Sequence, residues 1–331
     1  MLKSIEESIK SLVSPNDGGP LSTTPSGDAL VDQSGVQFPI ENGIPVLIFP
    51  LELHEAISES RDFYEGRADQ YDDTLHLTFF THGLEENKTR EEFIAKLNIS
   101  PNSKVLEVAC GTGRDSELLA NHLDESGELH LHDISADMIR RAKDKMKDCE
   151  AEVVMCLSNG ECLPYPDNYF DACYSFGALG EFPDKARALK EFARVTKVGG
   201  KIVVGDEGVP EWHRNTEFYK ILLETNPMFA AELPIKDLPV EARKVRLEWV
   251  IGGTFYLFDF EVGEGEPTAN FDYTIPGHRG GSYRSRYAGK LEGVTAESKE
   301  LAWQMVQNKG TNMHDWLTKI IEEEAKKTGL K

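Results

Sequence analysis

The residues best suited to chemistry are few and closely spaced. Ala109, Gly111 and Gly113 make a small-residue turn after the apolar run Val105 to Val108, which carries Glu107, and Arg114 to Leu123 then reads as a helix. A strand, a turn poor in side chains and a helix start gather free backbone N–H groups where a ligand can approach the main chain. Asp133 ends the next apolar-polar run, Glu128 to His132. A carboxylate at the end of a second parallel strand can accept hydrogen bonds from both hydroxyls of a ribose. Two cofactor classes fit this pair of features. A dinucleotide fingerprint asks for G-x-G-x-x-G, and its third glycine position holds Ser116.

A second group of reactive side chains lies further along. Glu181 follows the run Asp171 to Phe176, while Asp206, Glu207 and His213 cluster after Lys201 to Gly205. Glu181, Asp206 and His213 are candidate catalytic groups, since a carboxylate can take a proton or anchor a cationic amine and an imidazole titrates near neutrality. Arg279, Tyr283, Arg284 and Arg286 stand in a basic, aromatic, glycine-rich segment, Ile275 to Tyr287. Arginine binds carboxylate or phosphate in a bidentate manner, so acids and arginines together suit an amino-acid-like or zwitterionic substrate. Pairing of the arginines with surplus acids is the other reading.

These residues need a frame. Strands are expected near Lys104–Ala109, Glu128–Asp133, Glu152–Cys156, Asp171–Phe176 and Lys201–Asp206, with helices between them, the pattern of a parallel sheet. Ser135 suits the N-cap of a helix whose inner face is Met138, Ala142 and Met146. Pro183 opens another helix, and Glu92 to Leu97 is expected as one more. Lys244 to Val250 and Thr254 to Val262 flank Ile251-Gly252-Gly253 as a hairpin. The spacing predicts helices over Glu217 to Thr225, Glu297 to Gln307 and Met313 to Lys327.

Composition limits the partners. The formal charge of −21 repels polyanions and argues against a nucleic-acid substrate. No apolar run reaches the roughly eighteen residues of a membrane span, and the amphipathic, acid-bearing N-terminus does not read as a signal peptide. Five cysteines without paired spacing suit a reducing, cytoplasmic setting. Uncovered hairpin edges offer a surface for homo-oligomers.

The E-x-A-x-G-x-G turn at Glu107–Gly113 resembles the first motif of class I S-adenosylmethionine (SAM) methyltransferases. Leu157 to Asp171 looks like that family's "GDAExLPFPDxxFD" segment, and Arg194 to Lys201 like its "RVLKPGG" turn. Among its members the chain is similar to the ubiquinone/menaquinone-biosynthesis and related small-molecule methyltransferases. The resemblance implies SAM as cofactor. It implies that Glu107 steers the aminoacyl end and that backbone at Ala109 and Gly111 contacts methionine and ribose. Gly113 would permit close approach, Asp133 would hold the ribose, and Ile134 and Met138 would flank adenine. Asn159 stands where relatives often carry an Asp for the adenine amino group, and Gly160 and Ser175 complete the cofactor set. Arg61 to Asp72 looks like a "YDxxAxxYD" segment whose aromatic residues, Tyr71 among them, close over the methionine end. Glu181 replaces a histidine common in relatives.

Residues 1–50 resemble a zinc-ribbon-like module, but its four ligand positions hold Ser14, Asp17, Val31 and Ser34. Zinc prefers thiolate or imidazole, so a metal-free, degenerate module is expected. The implied fold is α/β, a Rossmann-like, doubly wound, mostly parallel sheet ending in an antiparallel hairpin, with a small N-terminal β module and a C-terminal α+β extension. The expected divisions are 1–50, a helical segment 51–100, a cofactor-binding core 101–210, and 211–331 completing the hairpin and covering substrate. A small-molecule methyltransferase is the reading this supports; a protein or peptide methyltransferase and a non-catalytic binding protein are the alternatives.

Overall fold

The computed structural model describes residues 2–288 and 294–330. Its strands are β1 (Ser22–Thr23), β2 (Ala29–Val31), β3 (Gln37–Glu41), β4 (Ile44–Leu47), β5 (Lys104–Val108), β6 (Glu128–Asp133), β7 (Glu152–Ser158), β8 (Phe170–Phe176), β9 (Thr196–Glu207), β10 (Ala242–Val250) and β11 (Phe255–Val262). They form one sheet in the order β1-β2-β3-β4-β7-β6-β5-β8-β9-β11-β10. The five central strands, β5 to β9, pair in parallel, and β11 returns antiparallel between β9 and β10. This is the Rossmann-like sheet with a terminal hairpin that the motifs imply.

Helices α1 (Ile5–Ser8), α2 (Glu55–Tyr64), α3 (Ala68–Thr74), α4 (His76–Phe80), α5 (Glu86–Ile94), α6 (Arg114–Asn121), α7 (Ala136–Lys145), α8 (Lys185–Val195) and α9 (Glu217–Thr225) connect or cover the strands. Central strands buried on both faces read as continuous apolar runs, and Val105, Leu106 and Val108 are fully buried. Ser135 caps α7 by accepting from Met138 N. Helix α8 is capped by Asp184, which accepts from Arg187 N, and its Leu189, Phe192 and Ala193 face the core. Helix α5 starts at Glu86 rather than Glu92, because Glu85 folds back to accept from the N–H groups of Asn87 and Lys88,.

The N-terminal module is not a separate body. Strand β4 pairs in parallel with β7, Val46 opposite Leu157, so the module extends the large sheet. At the turns where the resemblance places metal ligands, the Asp32 carboxylate accepts from Ser14 Oγ at 3.0 Å, Asn16 Nδ2 at 2.9 Å and Ser34 Oγ at 2.8 Å. Burial opposes the charge of Asp32, but hydrogen bonds from Asn16, Ser34, Val36 and Ser14 outweigh it and hold its carboxyl well below the usual range,. A knot of hydrogen bonds joins these two turns.

The chain divides into residues 1–266 and 267–331. The expected boundaries at 50, 100 and 210 do not separate units, because one hydrogen-bonded sheet runs from β1 to β11 across all three. The second unit holds α10 (Tyr283–Ala288), α11 (Ala296–Lys309) and α12 (Met313–Lys327). Among the described residues no helix is long and apolar enough to cross a membrane.

Candidate active site

The turns after β5, β6, β7 and β8 and the end of β9 line one cavity of about 500 Å³, which helices α2 to α5 and α9 also wall. In an open parallel sheet the carboxyl ends of the strands are where a ligand crevice forms. At one end sits the turn after β5. Ala109 (φ 55°) and Gly111 (φ 54°) both adopt left-handed backbone, which turns the chain sharply and presents its N–H groups. A side chain built on Gly111 would meet nothing within 4 Å, so this glycine faces open space inside the cavity.

Asp133, buried at the end of β6, accepts from Gly111 N (2.8 Å) through Oδ2 and from Ser135 N (3.0 Å) through Oδ1. Those bonds fix its orientation and leave a lone pair on each oxygen for a ligand. Burial raises its carboxyl above the usual range, against the lowering effect of the backbone bonds. Glu107 is 3% exposed and accepts a short hydrogen bond from Ser116 Oγ through Oε2. Burial first, and the Asp115 charge second, push Glu107 well above the ordinary carboxylate range,.

Beneath this end runs an ion network that the sequence reading missed. Arg90, 4% exposed, donates to Asp115 at 2.7 Å and to Glu86 at 2.9 Å. Its guanidinium lies 4.9 Å from the Phe79 ring centre. Arg114 joins Glu86 (2.8 Å) to Asp72 (3.1 Å), and Asp72 also accepts from Thr112 Oγ1 and pairs with Lys145. Asp72 lies on α3, so the network fastens the covering helices to the turn after β5. The only sequence signal was the Glu86–Arg90 spacing of four, which reads equally well as a solvated helix face.

The other end of the cavity is acidic and aromatic. Glu181, Asp206 and Glu207 line it with Tyr64, Phe176, Phe182 and Phe255. Asp206 is 2% exposed and accepts from Gly180 N and, at 2.8 Å, from Glu207 N. Burial, and then the neighbouring Glu207 carboxyl, raise Asp206 well above the normal range. Tyr64 and Tyr71 meet edge to face, ring centres 5.9 Å apart.

Of the expected residues, Tyr71, Glu107, Ala109, Gly111, Asp133, Ile134, Met138, Asn159, Gly160, Glu181 and Asp206 line the cavity. Gly113, Ser175 and His213 are not among its lining residues. Gly113 (φ 83°) is needed for packing: a Cβ there would sit 3.0 Å from Ala142 Cα on α7. Ser175 is fully buried within β8, its hydroxyl without a partner. His213 packs beside Trp212 and Phe218, ring centres 5.9 and 6.5 Å away. Asn159 already accepts from Glu161 N (3.0 Å) and donates to Phe49 O (3.2 Å), so it ties the exit of the N-terminal module to the end of β7. In the second unit Arg284 pairs with Asp272 at 2.8 Å and Arg286 donates to the Gly280 carbonyl. Tyr283 and Arg284 open α10 there, and Arg279 accepts at its backbone oxygen from His314 N.

This sheet, with a cavity at the carboxyl ends of its parallel strands, is the class I, Rossmann-like fold that the motifs imply. The chain belongs to the ubiE/COQ5 methyltransferase family, whose model matches residues 58–230. It is similar to the ubiquinone/menaquinone biosynthesis C-methyltransferase UbiE of Francisella philomiragia subsp. philomiragia, 38% identical over 131 residues, 39% of this chain and 50% of that protein. It is similar also to UbiE of Cupriavidus pinatubonensis, 37% identical over 111 residues, 34% of this chain and 46% of that protein. The chain spans about half the length of the curated relatives it matches. A solved structure that it is similar to is Haemonchus contortus phosphoethanolamine N-methyltransferase 2 in complex with S-adenosyl-L-methionine. Identity there is 15% and the TM-score 0.48, over 66% of this chain and 62% of that chain.

The class implies SAM, and the residues present fit it. Gly111 leaves room for the ligand against the main chain, Asp133 offers two buried acceptors for ribose hydroxyls, and Glu107 offers Oε1 to an ammonium group. Buried Asp115 Oδ1 and both His132 ring nitrogens have no hydrogen-bond partner and belong to cavity-lining residues, which suits a polar ligand.

Proposed function

We propose that the protein transfers the methyl group of SAM to a small-molecule acceptor held at the Glu181–Glu207 end of the cavity. The observation that carries this reading is the continuity of one cavity from the turn after β5 to those acids. When bound, SAM supplies a methyl group already activated by its sulfonium, so the protein's task is alignment and exclusion of water. Such positioning can lower a barrier by roughly 7–11 kcal/mol. Asp133 holds the ribose hydroxyls, Glu107 the ammonium, and Ile134 and Met138 the adenine faces. Tyr64, Tyr71 and the helices carrying them cover the ligand.

The proposal includes a cytoplasmic setting, supported by five free cysteines, and subunit pairing along the edge strand β10, supported by its exposed Val245 and Leu247. A role for Arg279, Tyr283, Arg284 and Arg286 in holding an anionic part of the acceptor is supported by the basic, aromatic character of their segment. Calorimetry with S-adenosylhomocysteine tests the central claim. Asp133→Ala is expected to weaken binding by about 1–3 kcal/mol through lost hydrogen bonds; wild-type affinity in that variant removes the ribose assignment.

A further inference from the structure

Strand β10 is the last in the sheet, and its only neighbour among the described residues is β11. Its outer row of main-chain N–H and C=O groups therefore lies open, a template on which another strand can pair. From Arg246 to Val250 the register with β11 is regular; the irregularity falls between Arg243 and Arg246, where Lys244 has φ 51°. Side chains alternate along the regular part. Arg246 and Glu248 share one face, where Arg246 Nε meets Asp259 at 3.2 Å and Glu248 Oε1 meets Lys96 at 2.7 Å. Leu247 and Trp249 share the other, where Trp249 meets Trp212, ring centres 6.3 Å apart. The Arg246 side chain is 66% exposed and that of Glu248 50%, which leaves both room for a further partner. Among the described residues no hydrogen bond occupies the Nη groups of Arg246 or Oε2 of Glu248.

We infer that β10 pairs antiparallel with β10 of a second copy of this chain, about a two-fold axis at Leu247. The inference rests on the subunit pairing proposed above and gives it a register. Charge selects the position of the axis. With the axis at Leu247, Arg246 of each chain faces Glu248 of the partner subunit, and Leu247 faces its own copy. Opposite charges directly across an antiparallel ladder stabilise it, and like charges weaken it. An axis at Arg246 or at Glu248 sets two identical charges against each other, and one at Val245 sets Lys244 against Arg246. A closed two-fold makes every contact twice, so the axis at Leu247 gains two ion pairs where the others bring like charges together. On the opposite face the two Leu247 side chains meet and leave water. Each copy carries a charge of −21, so association needs a face free of net negative charge. Lys244 and Arg246 against Glu248 provide one.

Sedimentation velocity on the full chain across a micromolar concentration series tests this, with circular dichroism to verify that each variant is folded. Wild type should sediment as two copies. Arg246→Glu and Glu248→Arg should each associate at least about tenfold more weakly, because either substitution creates two like-charge contacts. Mixed in equal amounts, the two variants should form a heterodimer as tight as the wild-type dimer, since every carboxylate then faces a guanidinium. Leu247→Cys should give a disulfide-linked dimer under mild oxidation and Glu248→Cys should not, because the axis residue alone stands opposite its own copy within bridging reach. A dimer that tolerates both charge reversals, a mixture no more associated than its components, or a cross-link at 248 in place of 247 overturns the register and keeps subunit pairing. A wild type that sediments as one chain at every concentration overturns the pairing together with the register.

Discussion

The two ends of the cavity differ in how many of their acids meet a cation. At the donor end Arg90 is answered by Asp115 and Glu86 and Asp72 by Arg114 and Lys145, while Glu107 has the Ser116 hydroxyl and Asp133 two backbone N–H groups. At the other end no Lys or Arg among the described residues pairs with Glu181, Asp206 or Glu207; Asp206 has two backbone N–H donors and Glu207 the Asn226 amide at 3.5 Å. A site compensated internally is preorganised and costs little to occupy. The ion pairs are thus confined to the end where α3, α5 and α6 meet the turn after β5.

The largest test of that contrast removes the donor end's central cation. Arg90→Met leaves Asp115 in a low-dielectric interior without a charged partner, while Glu86 keeps Arg114, and breaking a buried pair in this way costs about 3–5 kcal/mol. Urea unfolding should show the loss, and the double variant Arg90→Met/Asp115→Leu should recover most of it, because two apolar residues restore a consistent core. A loss near that of a surface pair, under about 1 kcal/mol, means that the network is solvated and the contrast does not exist.

A pH series sharpens the same comparison. Burial and the Asp115 charge raise the Glu107 carboxyl, so the free protein retains a proton there at pH values where an ordinary carboxylate has lost it. A ligand ammonium favours the ionised form, and binding therefore releases that proton. Affinity for S-adenosylhomocysteine should rise with pH, by at most about 1.4 kcal/mol per unit for one proton, and level off once free Glu107 is ionised. Heats measured in buffers of different ionisation enthalpy should report the proton released. Glu107→Gln should flatten the profile; a profile equally steep in that variant assigns the proton elsewhere.

The contrast also explains which residues were legible in the sequence. Gly111, Asp133 and Ser135 are dictated by local backbone needs: a left-handed turn, a strand end, a helix cap. Such needs recur at fixed spacing, so the donor end and the places of the central strands along the chain could be read directly. Gly113 shows the limit, because a glycine required for packing against Ala142 has the same letter as one required for a ligand. The Arg90–Asp115 pair joins residues 25 apart on two helices, and nothing in either segment points to the other. His213 lies close in sequence to the acids of β9, yet the chain turns it onto Trp212 and Phe218. The N-terminal module read as a body of its own because its turns look self-contained, while its pairing with β7 depends on a strand more than a hundred residues away.

The clamp on the covering helices is a smaller effect. Asp72 is partly solvated, and its partners Arg114 and Lys145 share that exposure, so screening reduces what each pair contributes. Asp72→Asn keeps the size and the contact with Thr112 but removes the charge. Affinity for S-adenosylhomocysteine should fall by about 0.5–1 kcal/mol, and added salt should weaken the wild type toward the variant. An affinity indifferent both to salt and to this substitution shows that apolar contacts of Ile57, Ala68 and Phe79 alone hold the cover down.

The smallest effect is expected in the second unit. Arg284 and Asp272 are more than 60% exposed and meet at 2.8 Å. An exposed pair of this kind contributes about 0–1 kcal/mol, because solvent already stabilises both charges and two long side chains lose freedom on meeting. Arg284→Ala should therefore leave the melting midpoint unchanged within error. A midpoint lowered by several degrees in thermal melting would show instead that this ion pair holds its unit together.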